Sequence, residues 1–450
     1  MPISLTDNGT KIGLEIAKKK SESNFDIVVV GGGMAGATAA LALANFPIKI
    51  ALIESIDPTG CSSPSYDQRA VALSAASVEI YKSMGLWSQI EPLAAAIKSI
   101  HISDKGRFGF TRLNVDDHPL DALGQVIPLE QTGPILWQAI KSRANISLFC
   151  PMKIVNIDSR DQRIKNKTIS IEIQRQKAFE SKTSKQNKEN INLKAKLLLA
   201  ADGTFSNLAK LAHIKTTRTS YEQHAIIANI TTEKPHNNRA FERFTKHGPL
   251  ALLPLNQNRM SLVWCQSEQT VQDVMAFDDS QFLNALQQAF GYRLGCITKV
   301  GARVEYPLAL HLPEKTFDER LLLVGNSAHT LHPIAGQGFN IGLRDIAALV
   351  DVIGKAIEKN QDFGGAKLLK AYQQQRQADW DQTISATDSL VRLFSNEFFP
   401  LTKLRGPALA LVDKVPFLKK KIAEVAMGFS GESAGLTRGL VRKMSNNFEV

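Results

Sequence analysis

The stretch "FDIVVVGGGMAGATAALALANFPIKIALIES" at 25–55 constrains the fold more than any other part of the chain. Its apolar run Ile27–Val30 reads as a buried strand, because a strand covered on both faces shows no polar alternation. Gly31, Gly33 and Gly36 follow as G-x-G-x-x-G, then an alanine-rich helix, then a second strand, "IKIALIE", ending in Glu54. Each part has a physical task. Gly31 allows the tight turn, Gly33 lets a pyrophosphate approach the backbone, and Gly36 lets helix pack on strand. The helix N–H groups and dipole hold the pyrophosphate. Glu54, 23 residues after Gly31, stands where an acid accepts the ribose hydroxyls. A lone G-x-G-x-x-G is a weak signal. In register with two strands, a helix and an acid, it predicts a dinucleotide-binding unit, without separating FAD from NAD.

Two later stretches extend the site. "KAKLLLAADGTFSNLAKL" at 194–211 is an apolar strand running into Ala-Asp-Gly, and "ERLLLVGNSAH" at 319–329 is another strand ending in a glycine turn. Neither is a second complete fingerprint, so one dinucleotide is contacted by distant segments. That favours FAD, which is long and bound extended. The third segment continues as "GNSAHTLHPIAGQGFNIGLRD" at 325–345. After Pro333 the chain turns through Gly336-Gln337-Gly338 into a helix with apolar Ile341, Ile346, Leu349, Val350 and Ile353. That spacing buries one face and leaves the N-terminus aimed outward. A helix start carries about half a positive charge, which suits the anionic edge of a reduced flavin ring. The first helix start suits the pyrophosphate, and one extended cofactor spans both.

At 450 residues the chain exceeds one simple domain, and 44% hydrophobic with 22% charged residues is a globular composition. No apolar run reaches the roughly 20 residues of a bilayer span. The opening residues, 1–24, lack the apolar core of a secretory signal and read as a tail. Cys61, Cys150, Cys265 and Cys296 have no zinc-like spacing, and free thiols in a reducing cytoplasm are expected. The net charge of +11 draws much of its excess from "KTSKQNKEN" at 182–190 and "LKKK" at 418–421. No nucleic-acid motif accompanies them. A membrane or protein surface is the better match, with a solvated face as the alternative.

Over about 25–438 these stretches resemble the class A flavoprotein aromatic hydroxylases, the para-hydroxybenzoate hydroxylase-like superfamily. "YDQRAVALSAASVEIYKSMGLW", "RAFERFTKHGPLALLPL", "SLVWC" and "GNSAHTLHPIAGQGFNIGLRD" further resemble the ubiquinone-biosynthesis hydroxylases. The match is to their UbiH type, the 2-octaprenyl-6-methoxyphenol hydroxylases, with Asn326 at a position usually held by Asp. The resemblance implies an α/β fold: a discontinuous Rossmann-like FAD-binding domain (25–98, 124–215, 305–365), an inserted strand-rich substrate domain (99–123, 216–304) and a C-terminal helical region (366–450).

It also implies roles. Gly31, Gly33, Gly36 and Glu54 would bind the ADP part of FAD, and Arg69 would approach its pyrophosphate and ribityl chain. Asp202 and Gly203 match the family's Asp-Gly motif, and its Asp also serves the NAD(P)H reaction. Gly325 and Asn326 would meet the ribityl chain, and Pro333, Gly336, Gly338 and Asn340 would line the ring. The strand-rich segments would form a sheet over the flavin, with Phe244 and Pro249 lining the phenol pocket or serving as plain core. His329 and His332 are the candidates for a general base, against a structural role in their loop. The chain departs from the family pattern at Ala209, where an arginine is usual, and at 126–138, which lacks a common arginine and yields no site.

The implied reaction uses O2 and a reductant, NAD(P)H or another protein's electrons, to hydroxylate a polyprenylated phenol: 2-polyprenyl-6-methoxyphenol to the 1,4-benzenediol. Another ring position in the same pathway, or an FAD-bearing lipid-binding scaffold, are the alternatives. The W-x-W-x-I-P signature of flavin halogenases and the second arginine-rich motif of amine oxidases are absent. "EFFPLTKLRGPALALVDKVPFLKKKIAEVAMGF" at 397–429 reads as a helical pair for the inner membrane face or for a lipid-handling partner among other ubiquinone-biosynthesis proteins, with a helix that closes the domain as the alternative.

Overall fold

The computed structural model describes residues 23–57, 69–158, 168–176, 190–395, 399–429 and 434–438. The N-terminal tail up to residue 22, Cys61 and the polar run at 177–189 lie outside them. Cys150, Cys265 and Cys296 are free thiols.

Two large sheets organise the chain. The first runs Phe317–Asp318, Leu321–Leu323, Asn190–Ala200, Ser23–Val30, Ile50–Ile53, Ile146–Phe149. From Leu321–Leu323 onward its neighbours are parallel. Ile27 and Val29 pack on one face with the helices Met34–Leu43 and Gln337–Glu358, while Val28 and Val30 enter a separate cluster on the other. Burial on both sides explains the unbroken apolar runs. A hairpin arm, Met152–Asp158 with Ile169–Arg175, extends the sheet antiparallel to Asn190–Ala200.

The second sheet runs Ile297–Val300, Thr216–Thr232, Arg259–Ser267, Gly248–Pro254, Arg239–Thr245, Ser99–Asp104, Phe110–Asn114. Val304–Pro313 also joins it, paired with Thr216–Thr232 from Pro313↔Thr216 to Val304↔Ile227. The sequence reading assigned 305–313 to the nucleotide-binding part. In the structure these residues form a strand of the second sheet, where their backbone groups find partners along Thr216–Thr232. One face packs Phe241, Leu250, Leu252, Leu262 and Trp264 against the helices Glu268–Ala276 and Asp279–Phe290. The other face turns toward the first sheet's glycine loops. A three-stranded sheet of Ala70–Ser74, Gly124–Pro128 and Ala95–Ile97 lies between the two.

The helix Ala366–Ser395 packs along Gln337–Glu358, and Phe399–Lys414 and Pro416–Ala426 follow as a helical pair. Among the described residues no helix is long and apolar enough to cross a membrane.

Candidate active site

Parallel register places the distant motifs in one row. Val30 pairs with Ala200 and with Ile53, and Ala200 pairs with Leu323. Gly31, Glu54, Asp202 and Gly325 therefore leave the sheet at the same edge, the carboxyl ends of its strands, where open α/β sheets bind ligands.

The glycine loop is close-packed. Gly31 has φ +98°, and a Cβ there would overlap the Ala201 carbonyl; one on Gly36 would overlap the Gly31 carbonyl. Gly33, extended at φ −66° and ψ −179°, precedes Met34–Leu43, whose first turn has neither a side-chain cap nor an acid. Glu54 Oε2 accepts from Gly32 N at 2.5 Å and its Oε1 from Ile56 N at 2.8 Å. The sequence reading took nothing from 126–138, yet Trp137 Nε1 donates to Gly32 O at 3.2 Å, and a Cβ on Gly32 would come within 2.5 Å of its ring. Trp137 is thus the wall behind the loop.

Asp202 and the 325 turn are tied together. Ser327 Oγ donates to Asp202 Oδ1 at 3.1 Å and accepts from Gly203 N at 3.0 Å, while Asp202 Oδ2 accepts from Leu208 N. Asn326 is exposed beside them. Arg69, half-buried, lies 5.2 Å over the Tyr306 ring of the second sheet.

The helix Gln337–Glu358 starts after Gly336 in left-handed conformation (φ +62°), again without a cap or an acid in its first turn. A Cβ on Gly338 or Gly203 would meet nothing within 4 Å, whereas one on Gly336 would touch Ala72 at 3.4 Å. Two helix starts with unmatched positive ends and open glycines at the strand ends fit an extended, phosphate-bearing cofactor. Asn340 differs from its expected place on the ring. It is 2% exposed, accepts from Ser74 N (2.8 Å) and Ser77 Oγ (2.7 Å), and donates to Ala72 O (2.9 Å) and Gly336 O (2.7 Å). Its hydrogen-bonding capacity is thus taken up in tying the Gly336 turn to Ala72, Ser74 and Ser77.

Both histidines are buried. His332 is fully buried. Ile334 N donates to its Nδ1 at 3.2 Å, so the ring proton sits on Nε2, which donates to Gln223 Oε1 at 3.1 Å. Burial pushes its pKa from 6.5 down to about 4. His329 is buried against Trp380, with Nδ1 at 3.9 Å from Asp345 Oδ2. Burial lowers its pKa, with Asp345 opposing. It belongs to the ion cluster between the two long helices. Phe244 stacks on Phe394 with centroids 3.4 Å apart and shares an apolar cluster with Ile334 and Val391; Pro249, buried, is its cross-strand partner.

A depressed histidine leaves stability intact above its unfolded value. Below about 6.5 the unfolded chain takes up the proton first, so stability falls as pH drops toward 4. At about 1.4 kcal/mol per pKa unit, His332→Gln is expected to reduce that loss by about 3 kcal/mol. Urea unfolding at stepped pH checks this; an unchanged pH slope contradicts it.

The profile of the FAD binding domain family matches residues 24–387. The ubiquinone hydroxylase UbiL of Rhodospirillum rubrum is 31% identical over 90% of this chain and 89% of its own. The 3-demethoxyubiquinol 3-hydroxylase of Escherichia coli is 28% identical over 90% and 98%. Among solved structures, p-nitrophenol 4-monooxygenase PnpA of Pseudomonas putida superposes with TM-score 0.73 at 16% identity, over 92% of this chain and all of that one, which establishes the shared fold. On the matched domain, the relatives and the architecture together, the chain belongs to the FAD-binding domain family of FAD-dependent monooxygenases, the flavoprotein hydroxylases.

Proposed function

We propose that the protein hydroxylates the ring of a polyprenylated phenol in ubiquinone biosynthesis, converting 2-polyprenyl-6-methoxyphenol to the 1,4-benzenediol. The observation that carries this is the apolar cluster that Phe244 forms with Ile334: it joins the inner face of the second sheet to the loop that opens the Gln337 helix, where the flavin ring would lie. The names of the relatives support the pathway.

In this reading Gly31, Gly33, Gly36 and Glu54 hold the ADP part of FAD, Arg69, Asp202, Gly203, Gly325 and Asn326 its middle, and Pro333, Gly336 and Gly338 its ring. Asn340 acts through Gly336. Bound and reduced by NAD(P)H, FAD supplies one atom of O2 as an electrophile. The chain's part is to orient the phenol, exclude water and stabilise the ring's developing charge. The uncapped start of the Gln337 helix would favour negative charge on the bound cofactor. An electrophilic oxygen attacks carbons ortho or para to a phenol oxygen. In a 2-polyprenyl-6-methoxyphenol both ortho carbons are occupied, which leaves the para carbon.

The relative named for 3-hydroxylation favours a second reading, attack on another carbon of a later ring intermediate. The prenyl tail would reach lipid at the C-terminal helices, where Leu411, Phe417, Leu418 and Ile422 are exposed among Lys414, Lys420 and Lys421. One experiment covers these points: holoenzyme, NADH or NADPH, isotopically labelled O2 and each short-chain phenol in anionic vesicles. Label in the new para hydroxyl, with protein cosedimenting with vesicles, is expected. Label only in the later intermediate selects the second reading, and unlabelled product from both ends the monooxygenase proposal.

A further inference from the structure

The strand Arg239–Thr245 carries an acid where its alternation calls for an apolar side chain. Phe241 and Arg243 point to the helix-covered face, and Ala240, Glu242 and Phe244 to the inner one. Phe244 packs with Ile334, and Ala240 belongs to the cluster against which Ala72 packs. Ile334 opens the turn that Gly336 ends, and Ala72 lies against Gly336. Glu242, between Ala240 and Phe244, is thereby held over the start of the Gln337 helix. Its cross-strand neighbours are Ala251 and Ile102, neither of which can bond it. Glu242 Oε1 is closed to solvent and has no hydrogen-bond partner.

A carboxylate oxygen shut off from solvent without a partner costs stability and persists where a ligand completes it. We propose that Glu242 is the catalytic base, taking the proton from the ring hydroxyl of the substrate. The step balances simply: the phenol O–H bond breaks, its electron pair stays on oxygen, and the proton forms a bond to the Glu242 carboxylate. The resulting phenolate enriches the carbon that is attacked.

The surroundings suit the role. Burial alone raises the Glu242 pKa to about 8, much nearer to a phenol's value of about 10 than an ordinary carboxylate is. A base matched in this way and poised near the working pH is the efficient one. Cys265, on Arg259–Ser267, feels this carboxyl: burial and then Glu242 push its thiol pKa up. His332 lies beyond, 4.0 Å from the Cys265 sulfur, and is held neutral.

The inference rests on the phenol-hydroxylase reading, and the test separates the two. Wild-type holoenzyme must hydroxylate the short-chain phenol; if it hydroxylates none, the underlying reading fails rather than this assignment. Glu242→Gln is expected to keep its FAD and fold, and to lose at least about 100-fold in kcat on that phenol. On a ring-fluorinated analogue, open at the reacting carbon and already ionised at the assay pH, it should approach wild type. In Glu242→Ala, added formate should restore part of the turnover. Wild-type kcat in Glu242→Gln, or equal losses on both phenols with no formate rescue, would overturn the role.

Discussion

Gly33→Val is expected to give a folded but colourless protein, with FAD affinity lowered at least about 100-fold, whereas Gly36→Val is expected not to accumulate as folded protein. The two glycines sit three residues apart and fail for different reasons. Gly33 has extended backbone that any residue adopts, so a valine there leaves the turn intact. Its side chain instead covers the uncapped N–H groups of the first helix, where the pyrophosphate would bind. A Cβ at Gly36 would overlap the Gly31 carbonyl inside the turn, driving helix and strand apart in a fully buried layer. Flavin absorbance per mole of protein and circular dichroism of both variants read the two effects separately. Full FAD occupancy in Gly33→Val would remove the pyrophosphate from this helix start.

The second large effect lies between the long helices. Arg344 donates to Asp379 from Nε at 2.8 Å and Nη2 at 3.1 Å, and Arg376 Nη2 donates to Asp379 Oδ2 at 2.5 Å. Arg376 Nε also donates to Asp345 Oδ1 at 2.7 Å, as does Trp380 Nε1 at 2.8 Å. Two arginines and two aspartates are balanced in a region closed to water. Although burial acts against it, Arg344 and then Arg376 hold the Asp379 carboxyl below its usual range. Asp379→Asn leaves two guanidinium groups facing one carboxylate, and breaking such a buried pair costs roughly 3–5 kcal/mol. A fall in Tm of several degrees is expected. Asp388→Asn, whose partner Arg392 is exposed on the same helix, should move Tm little. Equal shifts in both variants would mean that the inner network carries no special weight.

Much of the first sheet was legible because its signals are local. A buried strand, a tight glycine turn and a helix start follow each other within about a dozen residues, and each leaves its mark on the residue types. The same holds for the turn at Gly336. Asn340, Trp137 and Ser327 were not legible in that way, because their partners stand far off in the chain: Ser74 and Ala72 for the first, Gly32 for the second, Asp202 for the third. The surroundings of the histidines were hidden for a related reason. A histidine between proline and glycine turns looks available for chemistry, and only burial and the bonds to Ile334 and Gln223 show His332 to be occupied. Glu242 left a trace, an acid within "RAFERFT", but alternation alone could not say which face was inner.

By itself, then, the sequence determined that a dinucleotide is bound by a βαβ unit, that remote glycine turns share in it, and that the chain is of the flavoprotein hydroxylase kind, because backbone conformation at glycines and apolar periodicity act over a few residues. Only the tertiary structure decided which strands belong to which sheet, with Val304–Pro313 pairing along Thr216–Thr232, which polar groups are already bonded, and which carboxylate oxygen is left without a partner near the second helix start. Those outcomes depend on what meets across sheets and between helices, where burial sets the cost of every unpaired group, and no stretch of chain contains both sides of such a contact.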